Sequence, residues 1–242
     1  MTGPLTMSAT SKAAFDLPKK TQAHTARARR ILDGLMRFHP DAHCALNYDG
    51  PHQLLVATIL SAQATDVAVN KATPKFFEAF PTAADYAGAS PRTLEPYIRS
   101  LGFFRNKAIA IHEAMKSIVN DFGGEVPATM DELLTLRGVA RKTANVVLGN
   151  AYGIDVGVVV DTHVIRLSGR FGLSSAHDPK KIELDLMALF PRPHWTLLGH
   201  LLIFHGRRVC KARAGLCAEH PLCRRYCSNS KASEQKKAKI HR

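Results

Sequence analysis

The sequence predicts an all-α fold. Three observations carry this. Apolar residues recur at helical spacing in most segments, as in Ile31, Leu32, Leu35, Met36 and Phe38. Proline and glycine stand where these segments start or stop. No segment shows strand-like alternation, and there is no tandem repeat.

The elements follow in order. Residues from Met1 to about Thr25 mix Thr, Ser, Ala, Lys and Pro without periodicity, and 1–24 reads as a disordered basic tail. A helix is expected over 26–38, ended by Pro40. Pro51 suits the first position of the next helix. Leu54, Leu55, Ala57, Thr58 and Leu60 make that helix apolar nearly all round, so it should be central. It ends in Ser61-Ala62-Gln63-Ala64-Thr65-Asp66. Further helices are expected over 67–80, 83–88 and 91–100. Residues 101–107 turn into a long helix that Gly123-Gly124 stops near Phe122. The segments 129–136 and 141–152 form a helical pair around Gly138. After Asp161 a helix runs through Phe171, then an amphipathic one over 178–190 capped by Asp178, then one over 195–208. The stretch from 229 to 242 is polar and Lys-rich and reads as a second disordered tail.

Charge narrows the partner. A formal net charge of +13 favours a polyanion, nucleic acid ahead of an anionic membrane. There is no membrane-spanning apolar stretch and no apolar signal-peptide core, so a soluble intracellular protein is expected. Of five cysteines, four crowd together as Cys210, Cys217, Cys223 and Cys227. In a reducing compartment such a group reads as metal ligands rather than disulfides. Cys44 stands apart and reads as a buried structural thiol.

The stretch 133–163 has the most chemistry in it. An apolar helix end turns at Gly138 into a second helix that opens with Arg141, Lys142 and Thr143. A helix start offers free N–H groups and positive potential to phosphate. That field and burial both disfavour a protonated Lys, and a neutral amine is a nucleophile. Taken alone, Lys142 would read as a surface charge and Asp161 as a helix cap.

Together these stretches resemble the helix–hairpin–helix DNA glycosylases, and among them the endonuclease III glycosylase/abasic-site lyase family. The resemblance covers about 26–228. It rests on Ser61–Asp66, on Gly-Val-Ala-Arg-Lys-Thr-Ala-Asn-Val-Val at 138–147, on Val-Asp-Thr-His-Val at 160–164, and on His205-Gly206-Arg207 ahead of the cysteines. It implies a two-lobed helical fold. One lobe would span 44–154 and carry the hairpin. The other would join 25–43 to 155–228 and carry an iron–sulfur loop. Double-stranded damaged DNA would lie across the cleft, bound by a monomer in the cytoplasm at the nucleoid, with no membrane partner.

The resemblance also implies roles. Lys142 would be the nucleophile that forms a Schiff base and permits β-elimination, with Asp161 as its partner carboxylate. Gln63 would fill the gap left by an extruded base, and Phe103 would be the wedge. Gly138, Ala140, Arg141, Lys211 and Arg213 would contact DNA. The four cysteines would hold a 4Fe–4S cluster. The expected activity is removal of oxidised pyrimidines with strand cleavage. A divergent DNA-binding paralogue with weak or no catalysis, or a monofunctional mismatch glycosylase, are the alternatives.

The chain departs from the family pattern in two places. Arg137 and Ala140 stand where the hairpin usually has Pro and Gly. If position 140 needs a left-handed backbone, Ala costs about 1–2 kcal/mol there, which a phosphate contact from Arg137 would offset. The cysteine spacing also differs after Cys217, and His220 occupies the place of the usual third ligand. A Cys₃His set, a labile cluster and zinc are alternatives to the four-cysteine cluster.

Overall fold

The computed structural model describes residues 16–213, 216–228 and 230, and every regular element among them is helical. In chain order they are α1 Gln22–Phe38, α2 Pro51–Leu60, α3 Asp66–Ala79, α4 Ala83–Gly88, α5 Pro91–Ile98 and α6 Phe104–Asp121. Then follow α7 Met130–Thr135, α8 Arg141–Ala151, α9 Thr162–Arg170, α10 Pro179–Leu189, a 3₁₀ turn at Arg192–His194, α11 Trp195–Arg208 and α12 Pro221–Tyr226. Among the described residues no helix is long and apolar enough to cross a membrane.

Local chemistry sets most boundaries. Ser, Thr and Asp side chains accept an N–H from the first turn at Thr21, Thr65, Thr82, Ser90, Thr129, Asp161 and Asp178. Pro51, Pro91, Pro179 and Pro221 sit in first turns, where no N–H is missed. Three boundaries correct the sequence reading. α1 begins at Gln22, inside the expected tail, because Thr21 Oγ1 caps it by accepting the His24 N–H at 3.2 Å. Lys20 is also held, by an ion pair with Asp185. The rest of the expected N-terminal tail, 1–15, and residues 231–242 of the C-terminal one lie outside the described residues. α12 and the 3₁₀ turn were not expected, because each is too short for an apolar period to show.

The helices build two cores. One gathers buried residues from Leu46 to Leu148. Its axis is α2, whose residues Leu54–Leu60 are all buried, and α6 and α8 pack against it. The other joins Ile31, Leu32 and Leu35 of α1 to α9, α10, α11 and the four C-terminal cysteines. The chain thus leaves the second core after α1, builds the first, and returns through 152–161. α11 packs on α1, α8 and α9, so it touches helices of both cores.

Candidate nucleic-acid interface and cysteine centre

Two turns present unusual side chains. Between α2 and α3 the exposed Gln63 has φ 54°, and at the start of α6 Phe103 has φ 56°. Among the described residues these are the only non-glycine positions with positive φ. The left-handed backbone costs an L-residue about 1–2 kcal/mol, so each turn holds its residue against a local preference. Phe103 is 63% exposed, whereas its neighbour Phe104 packs against the first core. An exposed aromatic on a strained turn is not core packing, the ordinary reading of a Phe-Phe pair. The Gln63 turn is short, with the Ala64 N–H donating to Ser61 O at 3.1 Å before Thr65 caps α3.

The helical hairpin is α7 and α8. Gly138 turns it with φ +79°, and a Cβ there would stand 3.1 Å from Ala110 Cβ of α6. Neither the backbone nor the space admits another residue easily. Ala140 is different from expectation. Its φ is −98° and ψ 170°, ordinary extended backbone, so Ala carries no left-handed penalty there. Arg137 donates to Glu113 at 2.8 Å between two exposed side chains. α8 starts without a hydrogen bond from a capping side chain at Ala140.

Arg141, expected on the DNA, meets a buried carboxylate in the free chain. Its Nε and one terminal nitrogen donate to the Glu183 carboxylate at 2.8 and 2.9 Å. Asn145 Nδ2, one turn along α8, donates to the same carboxylate at 2.9 Å. Glu183 is buried on α10, in the second core. A Cβ on Gly157 would sit 2.0 Å from Glu183 Oε1, so the linking segment must be glycine where it crosses this pair. Lys142 lies beside Arg141 and is exposed. The burial expected around it is therefore absent in the free chain.

Asp161 caps α9, with Oδ1 accepting the Val164 N–H at 2.8 Å. Lys142 and Asp161 thus stand in or just before the first turns of consecutive helices, both of which pack on α11. The contact with α8 is tight, because Thr196 leaves no room for a Cβ on Gly149, and His200 Nε2 meets Asn150 Oδ1 at 2.7 Å. Burial lowers the His200 pKa to about 4, so it is a neutral structural ring. At the far end of α11, Gly206 admits His163 and Arg166 of α9. Burial lowers the His163 pKa as well, against the raising effect of Asp161.

The cysteines converge. Cys210, Cys217, Cys223 and Cys227 are all essentially fully buried. The sulfurs of Cys210, Cys217 and Cys227 lie within 4.8 Å of one another, and the Cys223 sulfur stands within the same distance of ring nitrogens of His205 and His220. Arg170 of α9 donates to Cys210 Sγ at 3.1 Å. The neighbouring sulfurs share their protons unequally: Cys223, Cys227 and Arg170 push the Cys210 thiol down, while Cys210 and Cys227 push the Cys223 thiol up. Four buried sulfurs with cationic support fit a metal group with an affinity for thiolates. His220 caps α12 by position, edge-on to Phe38 and His205 at 4.5 and 5.0 Å between ring centroids. It lies within 4.8 Å of Cys223 but is not one of the converging sulfurs. Lys211 and Arg213 are exposed on the loop after Cys210, where Arg170 holds the Lys211 carbonyl at 2.8 Å. Cys44 is half-buried against the first core, and burial raises its pKa.

Residues 56–192 match the sequence pattern of the HhH-GPD superfamily base excision DNA repair proteins. The chain belongs to that family. Within it the chain is 52% identical over 217 residues to Endonuclease III of Synechocystis, covering 90% of this chain and 99% of that one. It is 43% identical to Endonuclease III of Bacillus subtilis, over 79% of this chain and 87% of that one. Among solved structures it resembles a trapped Endonuclease III–DNA covalent intermediate, with a TM-score of 0.82 and 41% identity over 87% of this chain and 98% of that chain. A thermostable thymine-DNA glycosylase shares the fold, with a TM-score of 0.78 at 21% identity.

The HhH-GPD chain also holds residues that its sequence did not single out. Glu183 and Asn145 look like ordinary helix-surface residues in sequence, and only the side-chain contact between α10 and α8 brings them together. Arg166 and Arg170 of α9 spend their donors on carbonyls of Gly206, Cys210 and Lys211. Lys107 is buried in the first turns of α6 with no hydrogen-bond partner for its amine, and burial lowers its pKa.

Proposed function

We propose that this chain binds double-stranded DNA carrying oxidised pyrimidines, releases the damaged base and cuts the strand at the abasic site. It is a DNA glycosylase and abasic-site lyase of base excision repair. The residue assignment is carried by one observation, the exposed amine of Lys142 at the uncapped start of α8.

A base inside a duplex shields its sugar, so the nucleotide must leave the stack. Gln63 and Phe103 are the side chains to fill the space. Both project from turns that fix them outward, and an aromatic wedge offsets part of the unstacking cost of about a few kcal/mol. Phosphates would meet the N–H groups at Gly138, Ala140 and the start of α8, with Lys211 and Arg213 on the cysteine loop. The DNA itself would desolvate Lys142 and favour its neutral form.

The neutral amine attacks C1′ and the bond to the base breaks, the base leaving with a proton. The sugar ring opens to an iminium on Lys142 Nζ. Loss of a C2′ proton then expels the 3′ phosphate. Asp161 opposes the positive charge that grows on the sugar and can accept protons, with its orientation set by the Val164 N–H. The four cysteines would hold a 4Fe–4S cluster, which when bound supplies a cross-link for the 210–227 loop. Two lobes, 44–154 and 25–43 with 155–228, are supported by the two cores. The protein would act as a monomer in the cytoplasm at the nucleoid.

Borohydride added to protein and thymine-glycol or abasic DNA should trap a covalent complex, and Lys142→Gln should abolish it. An adduct that survives Lys142→Gln sinks the assignment. Base release without any adduct would instead indicate a monofunctional enzyme.

A further inference from the structure

The Cys223 sulfur faces an imidazole that belongs to a longer line. His205 Nε2 of α11 lies 3.1 Å from Cys223 Sγ, and His205 Nδ1 lies 2.9 Å from Nε2 of His39, the residue that ends α1. His39, His205 and Cys223 are all buried. Once Cys223 is a ligand, proton placement along this line is determined. A metal-bound thiolate carries no proton and can only accept. His205 must then donate from Nε2, which leaves its Nδ1 a bare acceptor. His39 must donate from Nε2 in turn, which leaves His39 Nδ1 unprotonated. That nitrogen is buried with no hydrogen-bond partner, and a second proton on it would put an unpaired donor and charge in the core.

We propose that His39 and His205 form a polarised hydrogen-bond line that positions the Cys223 sulfur and sets the electronic character of the bound cluster. The inference rests on the reading of the four cysteines as cluster ligands. His205 and His39 are positioning residues here. An N–H aimed at a ligating sulfur withdraws electron density and stabilises the reduced form. The line also joins α1 to α11 and α12 at the ligand, so the first of the described helices helps to hold a centre in the last of them. Arg170 of α9 acts in the same sense on Cys210.

The test uses the full, iron-loaded protein. Iron and acid-labile sulfide are measured first, and their absence overturns the cluster reading and this inference together. With iron present, ring ¹⁵N resonances of His205 should report a proton on Nε2 and a bare Nδ1. The opposite tautomer overturns the inference alone. His205→Phe should move the reduction midpoint to more negative values and speed iron loss to a chelator by about tenfold. His39→Leu, which leaves every ligand and its donor in place, should move both in the same direction by less. His39→Gln, whose amide N–H can serve the same acceptor, should restore wild-type values. Should His205→Phe not load iron, the two His39 variants decide. A wild-type potential and iron-loss rate in His39→Leu overturns the proposal.

Discussion

Phe103 combines a left-handed backbone with a large exposed ring, two properties that folding alone would avoid. Its side chain is free to act while its backbone is held by the Lys107 N–H, which donates to Phe103 O at 3.0 Å. Phe103→Asn should therefore keep stability within about 0.5 kcal/mol in urea unfolding, since Asn tolerates this backbone. The same variant should lose about tenfold in single-turnover base release from duplex DNA, because the wedge that offsets unstacking is gone. A wild-type release rate would remove Phe103 from the interface. The residue types at 63 and 103 were legible in the sequence pattern. Their shared backbone state was not, because it is imposed by the helices on either side of each turn.

At the scale of elements, α8 is held by two side-chain contacts from the second core, Glu183 on α10 and His200 on α11. Glu183→Ala would leave the Arg141 guanidinium without its carboxylate. A buried pair broken this way costs about 3–5 kcal/mol, and the partial exposure of Arg141 reduces the expectation to about 2. Urea unfolding should show that loss, and an unchanged midpoint would mean the pair holds nothing. His200 makes the junction sensitive to acid. Its pKa falls from 6.5 to about 4 on folding because burial disfavours the charged ring. The unfolded chain therefore binds the proton first as pH drops. Stability supplied by the neutral ring is complete above 6.5 and is lost between 6.5 and about 4. The loss should reach about 3 kcal/mol, and His200→Gln should flatten that part of the pH profile. An equal acid slope in both proteins would refute the assignment. Helix starts such as Pro51 and Asp178 were readable because a cap or a proline is a local signal. The Arg141–Glu183 pair was not, because its partners are 42 positions apart.

For the whole molecule, the net charge of +13 decides how DNA is held. Phosphate contacts release counterions, so affinity should fall steeply and linearly in log–log plots against salt. Lys211→Ala should reduce that slope by about 0.9 if the loop after Cys210 meets one phosphate. Arg137→Ala, whose partner is Glu113, should leave the slope unchanged. The reverse pattern would move the interface from the cysteine loop to the hairpin turn.

The sequence by itself determined the helical class, the order of the main helices, the polyanionic partner and the residue types of the candidate site. These are local quantities, carried by spacing, caps, charge and motif. Tertiary structure alone decided that Arg141 pairs with Glu183, that Ala140 is unstrained, that Lys142 stays exposed, and that the sulfurs of Cys210, Cys217 and Cys227 converge with Cys223 buried beside them. It also decided that His39 and His205 stand in line behind Cys223. Each depends on helices that are distant in sequence packing face to face, and no window of sequence contains both sides of such a contact.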